Sequence, residues 1–334
     1  MRNKLKVVAI IAALTLIFTA SASGAGKEKI RDISIRTDFM FNGYVAPYAL
    51  AMKRGYFLEE GLNVKLEIGQ GSAITIQTVA SGQDTFGIAD SGTVAKAISN
   101  QGIPVRVVSV HLQQIPMGFI YKPENAIKSA KDLLNRVIIS SAGAAELSLL
   151  PAILAKDKID ASKLNIRLVG AESRIASLLN TEGAVLLGFA TGDYLRAKAQ
   201  DPSIKYKSYG DFGLAAYGTG LIATNNTINK DPALVKKVVR AVQRGWLDSL
   251  KDPEAAVAAA KEIYPAADAK LLLDGLQVII EQKLMVTART DGKPLGWTAV
   301  GDWTSMLQMF RKYAGMSAPK GTAVYYTNAH IPKY

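Results

Sequence analysis

The sequence predicts an α/β protein in two lobes, the second inserted into the first, from three observations. Short apolar strands alternate with helix-length stretches along most of the chain. Three strands end in small-residue turns that open straight into helices, at Gly71-Ser72, at Ser91-Gly92-Thr93 and across residues 140–145. Two long extended segments, 105–121 and 208–225, are interrupted, the first by His111-Leu112-Gln113-Gln114 and the second by glycines at 210, 213, 218 and 220. Such segments suit strands that cross between lobes. A chain of 334 residues is long enough for two domains.

At the N-terminus, Arg2, Lys4 and Lys6 precede an apolar run from Val7 to Ala20 and then small residues, the pattern of a secretory signal peptide expected over 1–25. The run is too short for a membrane span, so a periplasmic location is expected. With no cysteine, the chain has neither a lipid-attachment site of the bacterial lipoprotein type nor a disulfide. A chain this long buries a core without such staples. The formal charge of +12 falls by three when the signal leaves. Because the remaining Lys and Arg are scattered rather than grouped in a basic block, nucleic acid is not an expected partner; the excess serves solubility and attraction to anionic surfaces or solutes.

Ile33 and Ile35 alternate with Ser34 and Arg36, as in a half-buried strand. That strand runs into a loop gathering Asp38, Phe39, Phe41, Asn42 and Tyr44. Pro47 suits the first turn of the next helix, where a missing N–H costs nothing, and Gly55 suits the position past its end. Residues 63–68 then alternate as a second strand. Aromatic faces with one carboxylate and one carboxamide make a cradle for a flat, hydrogen-bonding small molecule. The competing reading places the aromatics in the core and leaves Asp38 as a loop cap.

Downstream, a helix is expected at 73–80, a buried strand at 84–88 and a helix at 94–100. The turns between them present helix N-termini, whose free N–H groups attract acceptor atoms, although Ser and Thr there also act as ordinary caps. Strands at 137–139, 165–169 and 185–189 with a helix at 174–179 form a complete smaller unit between the crossings. Helices at 233–249, 254–263, 269–283 and 298–313 belong to the first unit. Lobe 1 is therefore assigned residues 26–112 and 213–334, and lobe 2 residues 113–212.

The runs GYVAPYALAMKRGYFLEEGLNVKLE and SGQDTFGIADSGTVAKAISNQGIPVRVVS, the turn SSAGAAE, and the C-terminal DGKPLGW and YYTNAHIP resemble periplasmic solute-binding proteins of ABC importers. The branch they most resemble captures pyrimidine precursors of thiamine and is related to nitrate, sulfonate and taurine binders and to yeast thiamine-pyrimidine synthase. The resemblance covers essentially the whole mature chain. It implies the type II periplasmic-binding fold, a monomer, a small-molecule ligand and an ABC permease in the inner membrane as partner. By the same resemblance, ligand contacts fall on Asp38, Phe39, Asn42, Tyr44 and Tyr48, on Ser72, Asp90 and Ser91, on Gln114, on Ser141, Gly143, Ala144 and Glu146, and on Thr191 and Tyr217. A tryptophan common in the branch after the first Asp is Phe39 here, which leaves open a sulfonate, an aromatic acid or another heterocycle as ligand.

Catalytic equipment is sparse. His111 and His330 are the only histidines, so a zinc site of His and Cys at short spacing cannot be built. Neither a G-x-S-x-G elbow nor a G-x-x-x-x-G-K-[ST] loop occurs. The enzyme reading related to the yeast synthase requires a His- and Cys-rich iron site. No catalytic residue, metal or cofactor is assigned, and His111 is expected to be structural, with a place in the cleft as its alternative. The expected function is capture of a heteroaromatic, thiamine-pyrimidine-like ligand by lobe closure. Asp38 would accept from a ring amino group, Phe39, Tyr44 and Tyr48 would flank the ring, and Ser141 with the N–H groups of residues 143–145 would meet an acceptor. A sensor for a receptor kinase and a secreted hydrolase are the alternatives of other classes.

Overall fold

The computed structural model describes residues 30–317 and 321–332; the signal peptide expected over 1–25 lies outside the described residues. Ten strands form among them: β1 (Arg31–Arg36), β2 (Leu62–Glu67), β3 (Phe86–Asp90), β4 (Val105–Val110), β5 (Met117–Tyr121), β6 (Val137–Ser140), β7 (Asn165–Leu168), β8 (Ala184–Phe189), β9 (Lys205–Ser208) and β10 (Thr219–Thr224). They make two five-stranded sheets, ordered β2-β1-β3-β10-β4 and β7-β6-β8-β5-β9. In the first, β1 runs parallel to β2 and β3, while β10 is antiparallel to both its neighbours. In the second, β6 is parallel to β7 and β8, and β5 is the antiparallel strand.

The two sheets thus repeat one layout, and its cause lies in the crossings. Residues 111–116 carry the chain from β4 into β5, and residues 209–218 carry it from β9 into β10. Both leave from strand carboxyl ends. A strand entering a lobe at that same edge has to run against the parallel set. Burial follows: β3 and β5, each flanked by strands on both sides, are buried at every residue.

Helices cover the sheets. Asp231 caps Pro232–Lys251 through Leu234 N–H, and Pro232 opens the helix, where no N–H is missed. Leu234, Val235, Val238, Val239, Val242 and Trp246 recur at helical spacing and are buried. This helix packs on Ala46–Lys53, which is buried from Ala46 through Ala51. A second apolar core is continuous across the lobes, joining Val94, Leu307 and Phe310 of lobe 1 to Leu149, Leu150 and Ile153 of lobe 2. No helix among the described residues is long and apolar enough to cross a membrane.

Several element ends differ by one to three residues from the sequence expectation, among them three in lobe 1. The strand expected at 84–88 forms two residues later, because Asp84 is drawn out of it into an ion pair with Arg36. The helix expected from 94 starts at Ser91, since Asp90 accepts from Thr93 N–H and caps it there. The helix expected to reach 283 stops at Glu281, and Lys283 takes a left-handed conformation (φ 50°).

Gly245 sets how closely the two lobe 1 helices approach. A Cβ there would lie 2.3 Å from the Pro47 carbonyl oxygen and 2.7 Å from the Ala51 methyl. Gly245→Ala is expected to lower the unfolding free energy by about 1–3 kcal/mol, as overpacked cores do, measured as a shift in the urea midpoint at unchanged slope.

Candidate functional site

The carboxyl ends of β1, β6 and β8 converge on a cleft between the lobes. Lobe 1 contributes Asp38, Phe39, Asn42, Tyr44, Gly71 and Ser72; lobe 2 contributes Ala144, Ala145, Glu146, Arg174, Phe189, Gly192, Asp193 and Arg196. The lobes are shut on one another. Ala73 N–H donates across the cleft to the Gly143 carbonyl at 3.3 Å, and Gly71, at φ 131°, leaves no room for a side chain, since its Cβ would stand 2.7 Å from that carbonyl. About 20 Å3 of space remains inside, enough for roughly one water. A ligand therefore enters only when the lobes part.

Arg174 forms the far wall. Its side chain is 2% exposed and pairs with Glu146, lies 3.6 Å from Asp193, and donates to the Leu187 carbonyl. The guanidinium also sits over the Phe39 ring, 5.2 Å from its centroid, so a lobe 2 cation rests on a lobe 1 aromatic. Asp193 receives Arg196 as well, at 3.1 Å. Burial alone would raise the Asp193 pKa, but the two guanidiniums outweigh it and hold the carboxyl below its ordinary range. Burial pushes Glu146 up, and Arg174 offsets only part of that. The carboxyl of Glu146 lies against its own backbone N–H at the start of the helix Ala145–Lys156, so this N-terminus already faces a negative group of its own chain.

Asp38 and Asp90 are held differently. Asp38 accepts the Tyr44 hydroxyl at 2.6 Å, and Tyr44 is oriented in turn by Asn42, whose side-chain oxygen accepts Tyr44 N–H at 3.1 Å. Burial pushes Asp38 up to about 7, with the Tyr44 hydrogen bond opposing. Asp90 lies behind Ser72, whose hydroxyl oxygen accepts Asp90 N–H. One Asp90 oxygen takes both the N–H and the hydroxyl of Thr93, while the other, Oδ2, has no partner. Burial likewise pushes Asp90 up to about 7.

Of the candidates named from sequence, Asp38, Phe39, Asn42, Tyr44, Ser72, Ala144 and Glu146 line this cleft together. Gly143 borders it as the cross-cleft acceptor. Asp90, Ser141 and Thr191 are buried without lining it, and the Oγ atoms of Ser141 and Thr191 are unpartnered. Ser91 is also buried, its hydroxyl donating to the Gly218 carbonyl. Three candidates stand elsewhere. Tyr48 turns into the lobe 1 core, 3.2 Å from His111 Nδ1; Gln114 and Tyr217 line a separate crevice of about 910 Å3 around the crossings. His111 is a core residue too, stacked on Trp246 at 5.5 Å and bonded to Ser109, and burial pushes its pKa down to about 3.

Sequence reasoning missed Arg174, Phe189, Asp193 and Arg196. The signal for Asp193 was present: GFATGDY is an apolar strand running into a small-residue turn, as at the three turns that were recognised.

The architecture is that of periplasmic binding proteins. The alkanesulfonate-binding protein SsuA from Xanthomonas axonopodis pv. citri superposes with a TM-score of 0.65 at 11% identity, over 90% of this chain and 99% of that one. The periplasmic nitrate-binding protein NrtA from Synechocystis PCC 6803 gives 0.65 at 11% identity, over 90% and 87%. Within this fold the chain belongs to the NMT1/THI5-like family, whose model matches residues 42–256. Among its relatives, the riboflavin-binding protein RibY of Chloroflexus aurantiacus is 26% identical over 94% of this chain and 90% of its own. A protein of Legionella pneumophila named 4-amino-5-hydroxymethyl-2-methylpyrimidine phosphate synthase is 22% identical over 90% and 92%.

The raised Asp38 pKa ties stability to pH. The folded carboxyl keeps its proton to about pH 7, whereas its ordinary value is 3.8. The folded state is thus favoured most below pH 4 and loses that advantage as pH rises to 7. Asp38→Asn cannot ionise, and in the unliganded protein it is expected to be more stable than the parent at pH 8, by on the order of 2 kcal/mol, with the gap closing toward pH 4. Urea denaturation of both proteins at pH 4, 5.5 and 8 checks this; a gap of constant size would refute the burial effect.

Proposed function

We propose that the protein is an extracytoplasmic solute-binding protein that captures a heteroaromatic, thiamine-pyrimidine-like ligand by lobe closure and delivers it to an ABC importer. The observation that carries the ligand class is the pairing, on one loop, of a buried acceptor with an aromatic face: Asp38, fixed by Tyr44, beside Phe39. A ring amino group donates to the carboxyl while the ring packs against Phe39. Both lobes supply cleft walls, so the closed form gains contacts that the open form lacks, and binding shifts the population toward closure. The names of the relatives, one for a flavin and one for an aminopyrimidine, agree with a heterocycle.

Charge argues against the sulfonate and nitrate alternative. Arg174 and Arg196 are both engaged by carboxylates, and the helix N-terminus nearest the cavity meets Glu146. An anion entering here would face carboxyls on both lobes. A binding rather than catalytic role fits the place of His111, locked between Tyr48 and Ser109 in the lobe 1 core. Export through the N-terminal signal and docking on a membrane permease are parts of the same proposal.

Thermal-shift screening tests it, because a ligand that binds only the folded state raises apparent stability. A rise is expected with 4-amino-5-hydroxymethyl-2-methylpyrimidine and none with nitrate or alkanesulfonates. Asp38→Ala is expected to weaken the aminopyrimidine about 30-fold or more, as loss of a charge-assisted hydrogen bond does. Shifts with sulfonates alone would discard the heterocycle and keep the capture mechanism.

A further inference from the structure

We infer that the cleft holds its ligand as a cation, a protonated amino-substituted nitrogen heterocycle whose charge is matched by Asp38 with Asp90 behind it. This rests on the heteroaromatic reading above and adds a charge state to it.

Charge balance within the cleft supports it. Glu146 and Asp193 are answered by Arg174 and Arg196. Asp38 and Asp90 are 3% and 0% exposed, and neither has a cation within 4 Å among the described residues. What they receive is uncharged: Asp38 has the Tyr44 hydroxyl and backbone N–H groups of its own loop, Asp90 has the N–H and hydroxyl of Thr93, and Asp90 Oδ2 receives nothing. Every other charged or titratable group around them is committed. Tyr44 bonds Asp38 itself, and Tyr48 bonds His111. Lys96, on the helix that Asp90 caps, donates to the Ser148 carbonyl at 2.7 Å; its charge acts on Asp90 from a distance without pairing with it. Asp38 therefore faces the small cavity, with Asp90 buried behind Ser72, and no cation pairs with either, an arrangement that disfavours ionisation of Asp38 until a cation arrives.

A ring N–H and an exocyclic amino group supply the missing donors and the missing charge together. For a ligand that is neutral in solution, the Asp38 O–H bond breaks and a ring N–H bond forms, leaving carboxylate against heterocyclic cation with no proton exchanged with solvent. A ligand already protonated in solution must instead expel the Asp38 proton to water. Its affinity then falls as pH drops below the point where Asp38 ionises.

Isothermal titration on the intact protein separates the cases with three probes: 4-aminopyridine, a cation at neutral pH; aniline, its neutral isostere; and 4-amino-5-hydroxymethyl-2-methylpyrimidine. The expected result is that 4-aminopyridine binds at pH 7.5, weakens roughly 20-fold by pH 5.5, and exceeds aniline at least tenfold. Asp38→Asn abolishes both the preference and the pH dependence. Asp90→Asn weakens the cation and keeps the pH dependence, and serves should Asp38→Asn fold poorly. Equal binding of aniline and 4-aminopyridine, or affinity unchanged by pH, overturns the charge assignment and leaves the heteroaromatic reading standing. Binding of none of the three overturns both.

Discussion

Everything in this molecule depends on the chain passing between lobes by two segments pinned side by side. Leu112 N–H donates to the Thr219 carbonyl and its own carbonyl accepts Gly218 N–H at 2.9 Å, so the crossings are held together where they leave lobe 1. Gln113 adds a third anchor, with its N–H on the Leu284 carbonyl at 2.7 Å and its side-chain amide on the Trp297 carbonyl. Because each crossing leaves a strand's carboxyl end and enters an antiparallel strand at the same edge of the other sheet, the carboxyl ends of β1, β6 and β8 must face each other. The cleft is thus a consequence of connectivity before any side chain is chosen.

Side chains then decide what the cleft holds, chiefly by being kept dry. Four carboxyls, from Asp38, Asp90, Glu146 and Asp193, are all buried. In water their mutual repulsion would be slight, but in a closed cleft it is not. Two are made tolerable by guanidiniums and two by staying protonated near neutral pH. The same burial that raises Asp38 makes it a strong partner for a donor, since no solvent competes for it.

What could be read from the sequence divides along physical lines. Strands and helices were legible because periodicity is local, and the crossings because polar and glycine residues interrupt extended runs. The loop from Asp38 to Tyr44 was legible because its members are neighbours in the chain. Arg174 was not: on a short helix such as Arg174–Asn180 a lone cation looks like a surface residue, and only the approach of Glu146 and Asp193 buries it. Tyr48 misled for the opposite reason. Its helix is covered on every side, so nothing in its pattern told a core-facing aromatic from a cleft-facing one. Gln114 and Tyr217 were rightly placed near the crossings, yet whether they lined the cleft or the separate crevice depended on packing against residues far away in the chain.

The position of β10 has a consequence for how the protein is made. All five strands of the second sheet lie between residues 117 and 208, an unbroken stretch of chain that pairs with itself. The first sheet cannot do this: β3 and β4 flank β10, which is synthesised more than a hundred residues after them. Until it arrives, the two buried strands it joins have unpaired edges, and closing that gap means closing a long loop first. Lobe 2 can mature as soon as its own chain is available, whereas lobe 1, which carries Asp38, must wait for it. The loop that gives the cleft its ligand chemistry is near the beginning of the sequence and among the last parts to acquire its native surroundings.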